Sequence, residues 1–109
     1  MRPEKHLPLR PVEFQVLACL SQGARHGYAI LREIETRGEA GAIPGLATLY
    51  RAILRLEKRG LIERVGVLSL DTDDERRRVY GLTSLGRAVV DAEARRLAPM
   101  VELVKGALP

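Results

Sequence analysis

The stretch LATLYRAILRLEKRG, residues 46–60, carries two helical stripes of different chemistry. Its apolar residues recur at the i, i+3, i+4 and i+7 spacing of a single helix face, namely Leu49, Ala52, Ile53 and Leu56. A hydroxyl and two positive charges recur at helical spacing on another face, namely Thr48, Arg51 and Arg55. The first stripe predicts packing against a core, and the second predicts an exposed basic surface.

The basic stripe has two possible interpretations. A face that serves only solubility usually mixes charges of both signs in i, i+4 pairs. Residues 44–60 instead hold four basic side chains and one acidic side chain, Glu57. In a recognition helix the N-terminal side chains meet base edges, where Arg can grip guanine and Thr can bond a base or touch a thymine methyl group. The pattern therefore favours DNA reading over a purely solubilising role.

The charge of the whole chain agrees with this interpretation without deciding it. The 109 residues, 46% of them apolar, predict one compact domain. The net charge is +4, and the first 60 residues hold 10 basic and 6 acidic side chains, whereas the rest hold eight of each. A basic face is the usual footprint of a nucleic-acid binder, but many small proteins are basic without that role.

Two helices are predicted before the central stretch. Pro11 suits a first helical position, and an apolar stripe follows it up to Gly23, which ends the helix. A second helix is predicted over residues 26–37, with Gly38 as its end, and residues 38–45 form a loop by composition. Residues 1–10, which are polar and contain proline, predict a tail or an arm that contacts a partner.

A hairpin is predicted after the central stretch. Residues 61–68 and 76–83 have the composition of antiparallel strands, separated by a polar turn over residues 69–75. The second strand begins with three arginines, Arg76, Arg77 and Arg78. Three helices followed by such a hairpin form a winged-helix arrangement, in which the wing places basic groups on DNA phosphates. Phosphate contacts supply affinity and salt dependence rather than sequence choice.

The last helix, capped by Thr83 or Ser84, has an apolar stripe too long for a three-helix head to cover. Core packing accounts for Leu85 and is an alternative explanation for Val89 at the start of the stripe. The stripe predicts a partner helix across a two-fold axis, through Val89, Ala92, Leu97, Met100, Val101 and Val104. Pro99 removes one helical hydrogen bond, so we expect a kink or an end near Ala98.

Residues that could support catalysis or hold a metal are sparse. His6 and His26 have no partner at a metal-ligand spacing. The acidic cluster at 71–75 does not match a calcium loop, because its sixth and twelfth positions are Arg76 and Leu82 rather than Gly and Glu. Since no glycine-rich phosphate loop is present either, we expect no enzyme activity, no catalytic residue, no metal and no cofactor.

The single cysteine and the apolar runs bear on the location of the chain. Cys19 cannot form an internal disulfide and is predicted to be a buried small hydrophobe. No apolar run approaches the roughly 20 residues that span a membrane, and the N-terminus lacks the apolar region of a signal peptide. The expected location is the cytoplasm, without membrane association.

Three motifs carry a family resemblance when taken in this order and spacing. His26-Gly27-Tyr28 opens the second helix, LYRA and RLEKRGLI lie within residues 49–62, and RRVYGLTSLGR spans residues 77–87. Together they resemble the PadR-like transcriptional regulators over about residues 11–90. The resemblance implies a mostly α fold with a small β-hairpin, that is, a winged helix-turn-helix with a C-terminal dimerisation helix.

The resemblance also implies an organisation and a function. It divides the chain into an N-terminal arm at 1–10, a DNA-binding domain at 11–83 and a dimerisation helix at 84–109. It implies a homodimer that binds a palindromic operator in double-stranded DNA, most often as a repressor, with Tyr50 near the DNA backbone. The alternative is a winged-helix module whose basic face binds an acidic protein without sequence-specific DNA binding.

A small-molecule effector stays open as a further partner. Some members of the family stack planar, drug-like molecules on aromatic side chains near the dimer centre. This chain has only one Phe and three Tyr, which argues against that mode of binding. It also departs from the family in the first wing strand, where an aromatic residue is common and this chain, which has no Trp, carries Val65.

Overall fold

A computed structural model describes residues 2–38, 43–67 and 78–107. After a short 3-10 helix at Pro3–His6, the elements in chain order are α1 (Pro11–Leu20), β1 (Arg25–His26), α2 (Gly27–Arg37), α3 (Leu46–Lys58), β2 (Ile62–Val67), β3 (Arg78–Leu82) and α4 (Ser84–Ala107). The predicted mostly helical fold with a β-hairpin is confirmed. The predicted turn at 69–75, with its acidic cluster, and Arg76 and Arg77 lie outside the described residues.

The sheet contains a strand that the sequence patterns did not predict. β3 lies between β1 and β2, and both pairs are antiparallel. β1 pairs Arg25 with Tyr80 and His26 with Val79, so it continues the ladder on the far side of the hairpin. Because β1 has two residues, it is too short to show an alternating pattern.

The core forms where the first three helices meet the sheet and the start of α4. The apolar face predicted for α3 is buried, since Leu49, Ala52, Ile53 and Leu56 are each 1% exposed or less. It packs with Leu17 of α1 and Ile30 of α2. Cys19 is also buried, as predicted, and its burial raises the pKa of the thiol.

A left-handed glycine turns the chain from α3 into the hairpin. Gly60 has a φ of 74°, a conformation that residues with a side chain rarely adopt. The N–H of Gly60 bonds the carbonyl of Glu57, and the N–H of Leu61 bonds the carbonyl of Leu56, each at 3.0 Å. This Schellman motif closes the helix and directs Leu61, which is fully buried, into the core.

The N-terminal segment is part of the folded domain, which corrects the expectation of a tail or arm. Its 3-10 helix packs against α4, and Leu9 is 8% exposed within the core. The backbone N–H of Leu9 donates to Glu93 Oε2 at 2.8 Å. The neighbouring N–H of Arg10 donates to Glu13 Oε1 at 3.1 Å. Two buried carboxylates therefore hold consecutive backbone groups of this segment in place.

The N-terminal segment also reaches the end of α3. Arg59 donates through Nη2 to the main-chain oxygen of His6 at 3.3 Å, and its Nη2 lies 3.2 Å from His6 Nδ1. Arg59 Nη1 lies 3.3 Å from Glu13 Oε1. Partial burial and the charges of Arg59 and Lys5 hold the pKa of His6 below its ordinary value of 6.5.

The last helix begins inside the core and continues beyond it. Thr83 Oγ1 accepts from the N–H of Gly86 at 3.0 Å and caps the helix. Val89 is fully buried in the core of its own chain, so its predicted place in a dimer interface is wrong. The helix does not end near Ala98, because it continues past Pro99 to Ala107. Among the described residues, no helix has the length and apolar character needed to cross a membrane.

Replacement of Gly86 by alanine should destabilise the protein. A Cβ at this position would lie 1.9 Å from the carbonyl oxygen of Leu61, so the backbone of α4 or of the turn must move. We expect the free energy of unfolding to fall by about 3 kcal/mol in urea titrations followed by circular dichroism. Gly106→Ala in the same helix is the control, because its Cβ meets nothing within 4 Å. Equal stability of the two variants would contradict this packing.

The protein should lose stability when His6 becomes protonated. Because its folded-state pKa is lowered, the unfolded chain binds a proton more readily, and stability falls as the pH drops below about 6.5. His6→Asn, whose side-chain oxygen accepts a bond without titrating, should lose less stability between about pH 7.5 and 5.5. Urea midpoints measured across this range test the expectation, and parallel losses in both proteins would argue against it.

Candidate nucleic-acid interface

The exposed face of α3 lies directly opposite its buried face. At 100° per residue, one line of side chains points straight away from the core: Ala47, Arg51, Leu54 and Lys58. All four are exposed. Thr48 and Arg55 lie on one flank of this line, toward α1, and Tyr50 lies on the other flank. The centre of the outward surface is therefore displaced from the predicted Thr48–Arg51–Arg55 stripe, and Arg51 belongs to both.

The predicted base-reading pair lies at the N-terminal end of this surface. Arg51 Nη2 lies 3.4 Å from Thr48 Oγ1, and both side chains are exposed. A contact this long between exposed groups is weak. The arginine fork can therefore exchange it for a bidentate bond to a base edge at little cost.

Arg55 has a different environment from Arg51. Its Nε donates to Glu13 Oε2 at 3.1 Å, and the arginine side chain is 35% exposed against 3% for the glutamate. Burial by itself raises the pKa of Glu13, but bonds from the Arg10 N–H and from Arg55, with the charge of Arg59, lower it overall. The ion pair fastens α3 to α1, and a DNA contact by Arg55 stays a prediction.

Tyr50 and Arg78 are both partly buried. Tyr50 packs against the core from the flank of α3. Arg78 opens β3 and bonds the hydroxyl of Tyr80, which opposes the rise that burial causes in the pKa of Tyr80. Tyr80 is 1% exposed, so the Arg78 side chain lies beside a core residue. The DNA contacts predicted for Tyr50 and Arg78 are untested, as are those of Arg76 and Arg77.

Two further contacts, one at α3 and one within α2, were missed by the sequence patterns. Arg64 of β2 donates to Glu57 Oε2 at 3.0 Å, which ties the hairpin to α3 and pairs the single acidic residue of the helix. Within α2, Arg32 lies over the ring of Tyr28 at 6.0 Å from the ring centre, and Tyr28 is half exposed. The first contact joins residues on either side of a turn, so no local sequence pattern predicts it. The second joins residues at the i, i+4 spacing of one helix face, which the sequence could have revealed.

The far half of α4 carries exposed apolar side chains. Met100, Val101 and Val104 are 57%, 48% and 61% exposed, and Leu103, which was not predicted, is 68% exposed. Ala92 and Leu97 are half-buried. Within the described residues, no group of three or more His, Cys, Asp or Glu side chains could hold a metal ion.

Comparison with known proteins agrees with this architecture. The chain matches the transcriptional regulator PadR-like family over residues 16–92. Uncharacterized protein X from Lysinibacillus sphaericus is 33% identical over 90 residues, which cover 82% of this chain and 80% of that protein.

Solved structures share the fold at low sequence identity. A PadR family transcription regulator from Clostridium difficile superposes with a TM-score of 0.74 at 20% identity, covering 92% of this chain and 100% of that chain. A PadR-like transcriptional regulator from Bacillus cereus gives a TM-score of 0.70 at 21% identity, covering 87% and 88%. The family match spans more than half of the sequence and confirms the predicted resemblance. The chain therefore belongs to the PadR-like family, whose members are DNA-binding transcriptional regulators rather than enzymes.

Proposed function

We propose that this protein is a homodimeric repressor that binds a palindromic operator in double-stranded DNA. The observation that carries the proposal is the two-sided construction of α3. One face is buried to 1% exposure or less, and the opposite face presents Arg51 with Thr48 beside it. A helix held this rigidly by its core face is suited to reading base edges in the major groove.

The charges around α3 support a DNA partner. Arg51 and Lys58 are exposed on the outward line, and Glu57, the acidic residue of the helix, is paired with Arg64. The outward surface is therefore cationic, as a surface facing DNA phosphates must be. In this proposal Arg76 and Arg77 add phosphate contacts from the hairpin.

The exposed half of α4 supports a homodimer. The helix has 24 residues, which corresponds to a length of about 36 Å, and its buried residues all lie in its first half. Leu97, Met100 and Val104 continue the line of the buried Val89 and Glu93 along the helix. A second copy related by a two-fold axis would bury this line on both chains. Two DNA-binding domains related by this two-fold axis require half-sites about one DNA turn apart, roughly 10 bp.

Repression follows most directly from occupancy of a promoter. A dimer on two such half-sites covers about two turns of the duplex, roughly 20 bp, and would exclude RNA polymerase from an overlapping promoter. A reporter gene placed behind the preferred site should therefore lose expression when the protein is produced. Increased expression would instead indicate an activator.

Arg51→Ala should relax sequence preference. The preferred duplex is first selected from a random library with the intact protein, and binding is then measured by fluorescence anisotropy. We expect discrimination against one base-pair change to fall by about 5- to 100-fold, the value of a bidentate arginine contact. Arg37→Ala is the charge-matched control, since Arg37 is an exposed residue of α2 paired with Glu33. Unchanged discrimination would refute base reading by Arg51, and absence of any preferred duplex would favour the protein-binding alternative.

Val104→Glu should weaken the dimer. The substitution places a charge on the exposed apolar line twice in each dimer, so we expect the dissociation constant to rise roughly 100-fold. Ala98→Glu adds the same charge at an exposed position on another side of α4 and should leave the dimer intact. Sedimentation equilibrium compares the two variants. A fully monomeric wild type, or equal association of both variants, would be inconsistent with the proposed interface.

A further inference from the structure

We infer that the operator presents thymine methyl groups to Leu54 and Ala47, on either side of the base that Arg51 reads. The inference rests on the proposed function, and it concerns what the recognition surface selects. Leu54 lies at the centre of the outward line of α3 and is 47% exposed. Ala47, one turn before Arg51 on the same line, is also exposed.

The position of Leu54 is unusual for a large apolar side chain. The buried face of α3 already contains its core leucines, Leu49 and Leu56, and Leu54 points away from them. Its neighbours on the outward line are Arg51 and Lys58, three residues before it and four after it. Leu54 is therefore an apolar contact point within a cationic surface.

The charge of the surface around Leu54 indicates which kind of partner contacts this side chain. A second copy of the same helix would bring Arg51 and Lys58 against their own equivalents, and like charges would repel. Duplex DNA supplies the opposite charge in its phosphates and an apolar group in its major groove, the C5-methyl group of thymine. No other base of unmodified DNA carries a methyl group there, so an exposed leucine between cations matches thymine.

The spacing along the helix predicts a pattern of bases. Ala47 and Leu54 are seven residues apart, about 10.5 Å along the helix axis, and Arg51 lies between them. Because successive bases on one strand are about 3.4 Å apart, a helix aligned with the groove spans about three base-pair steps between the two apolar contacts. We therefore expect two thymines about three steps apart in each half-site, with a guanine contacted by Arg51 between them.

The test removes methyl groups from the DNA. The preferred duplex is selected with the full chain, and each thymine is then replaced singly by uracil, which keeps base pairing but lacks the methyl group. Affinity should fall about three- to fivefold at two positions in each half-site, the value of one buried methyl group. All other replacements should change affinity less than twofold.

Leu54→Ala connects one of these positions to its side chain. Alanine and leucine both favour the helix, and Leu54 is exposed, so the variant keeps the fold. Truncation to Cβ withdraws the two methyl groups of Leu54 from the DNA, so the variant should reduce the effect of uracil at one position and keep the effect at the other. Lys58→Ala, the control on the same line, should weaken binding to every duplex, flatten the salt dependence and leave both methyl effects unchanged.

The outcomes separate this inference from the proposal on which it rests. If the library yields no preferred duplex, sequence-specific DNA binding itself is refuted. If a preferred duplex exists but uracil has no effect, or if Leu54→Ala leaves both effects in place, the methyl contact is refuted and the proposal of sequence-specific DNA binding is unaffected.

Discussion

Complete burial of one face of α3 determines what its opposite face can do. With Leu49, Ala52, Ile53 and Leu56 in the core, the helix cannot rotate about its axis without exposing them. The ion pair between Arg55 and the buried Glu13 adds a directional restraint, since leaving that carboxylate without its partner would be costly. Arg51 and Leu54 therefore occupy defined directions. An arginine on a mobile helix would have to lose far more conformational entropy before it could distinguish one base from another.

Periodicity predicted the helices well because each has a face that must be buried, and a buried face repeats every 3.6 residues. The same logic failed for the N-terminal segment, whose order comes from backbone bonds to Glu13 and Glu93, 3 and 84 residues away in sequence. It also failed for β1, which is too short to alternate. On α3 the predicted exposed stripe was drawn through the charged side chains, and it correctly included Arg51 among the exposed residues. It omitted Leu54, because an exposed leucine differs from a core leucine in direction alone.

The N-terminal segment joins the two parts of the molecule that the proposed function assigns to different tasks. At Leu9 it is held by Glu93 of α4, and at His6 it contacts Arg59 at the end of α3. The segment therefore connects α4 to the end of α3 through hydrogen-bonded groups. Both contacts involve buried or half-buried polar groups, which are expensive to leave unsatisfied, so the segment is expected to move with the helices as one body.

The proposed dimer compensates for the small number of side chains with which one DNA-binding domain can contact bases. Few side chains of α3 point outward, and each good base contact supplies only about 1–3 kcal/mol of discrimination. Once one head is bound, a second head carried on a stiff helix meets its half-site at a high effective concentration, so affinity rises without any new type of contact. The arrangement of the two α4 helices then limits the half-site spacing that can be used. Side chains beyond Pro99, which touch no DNA in this arrangement, would thus influence DNA affinity through the stability of the dimer.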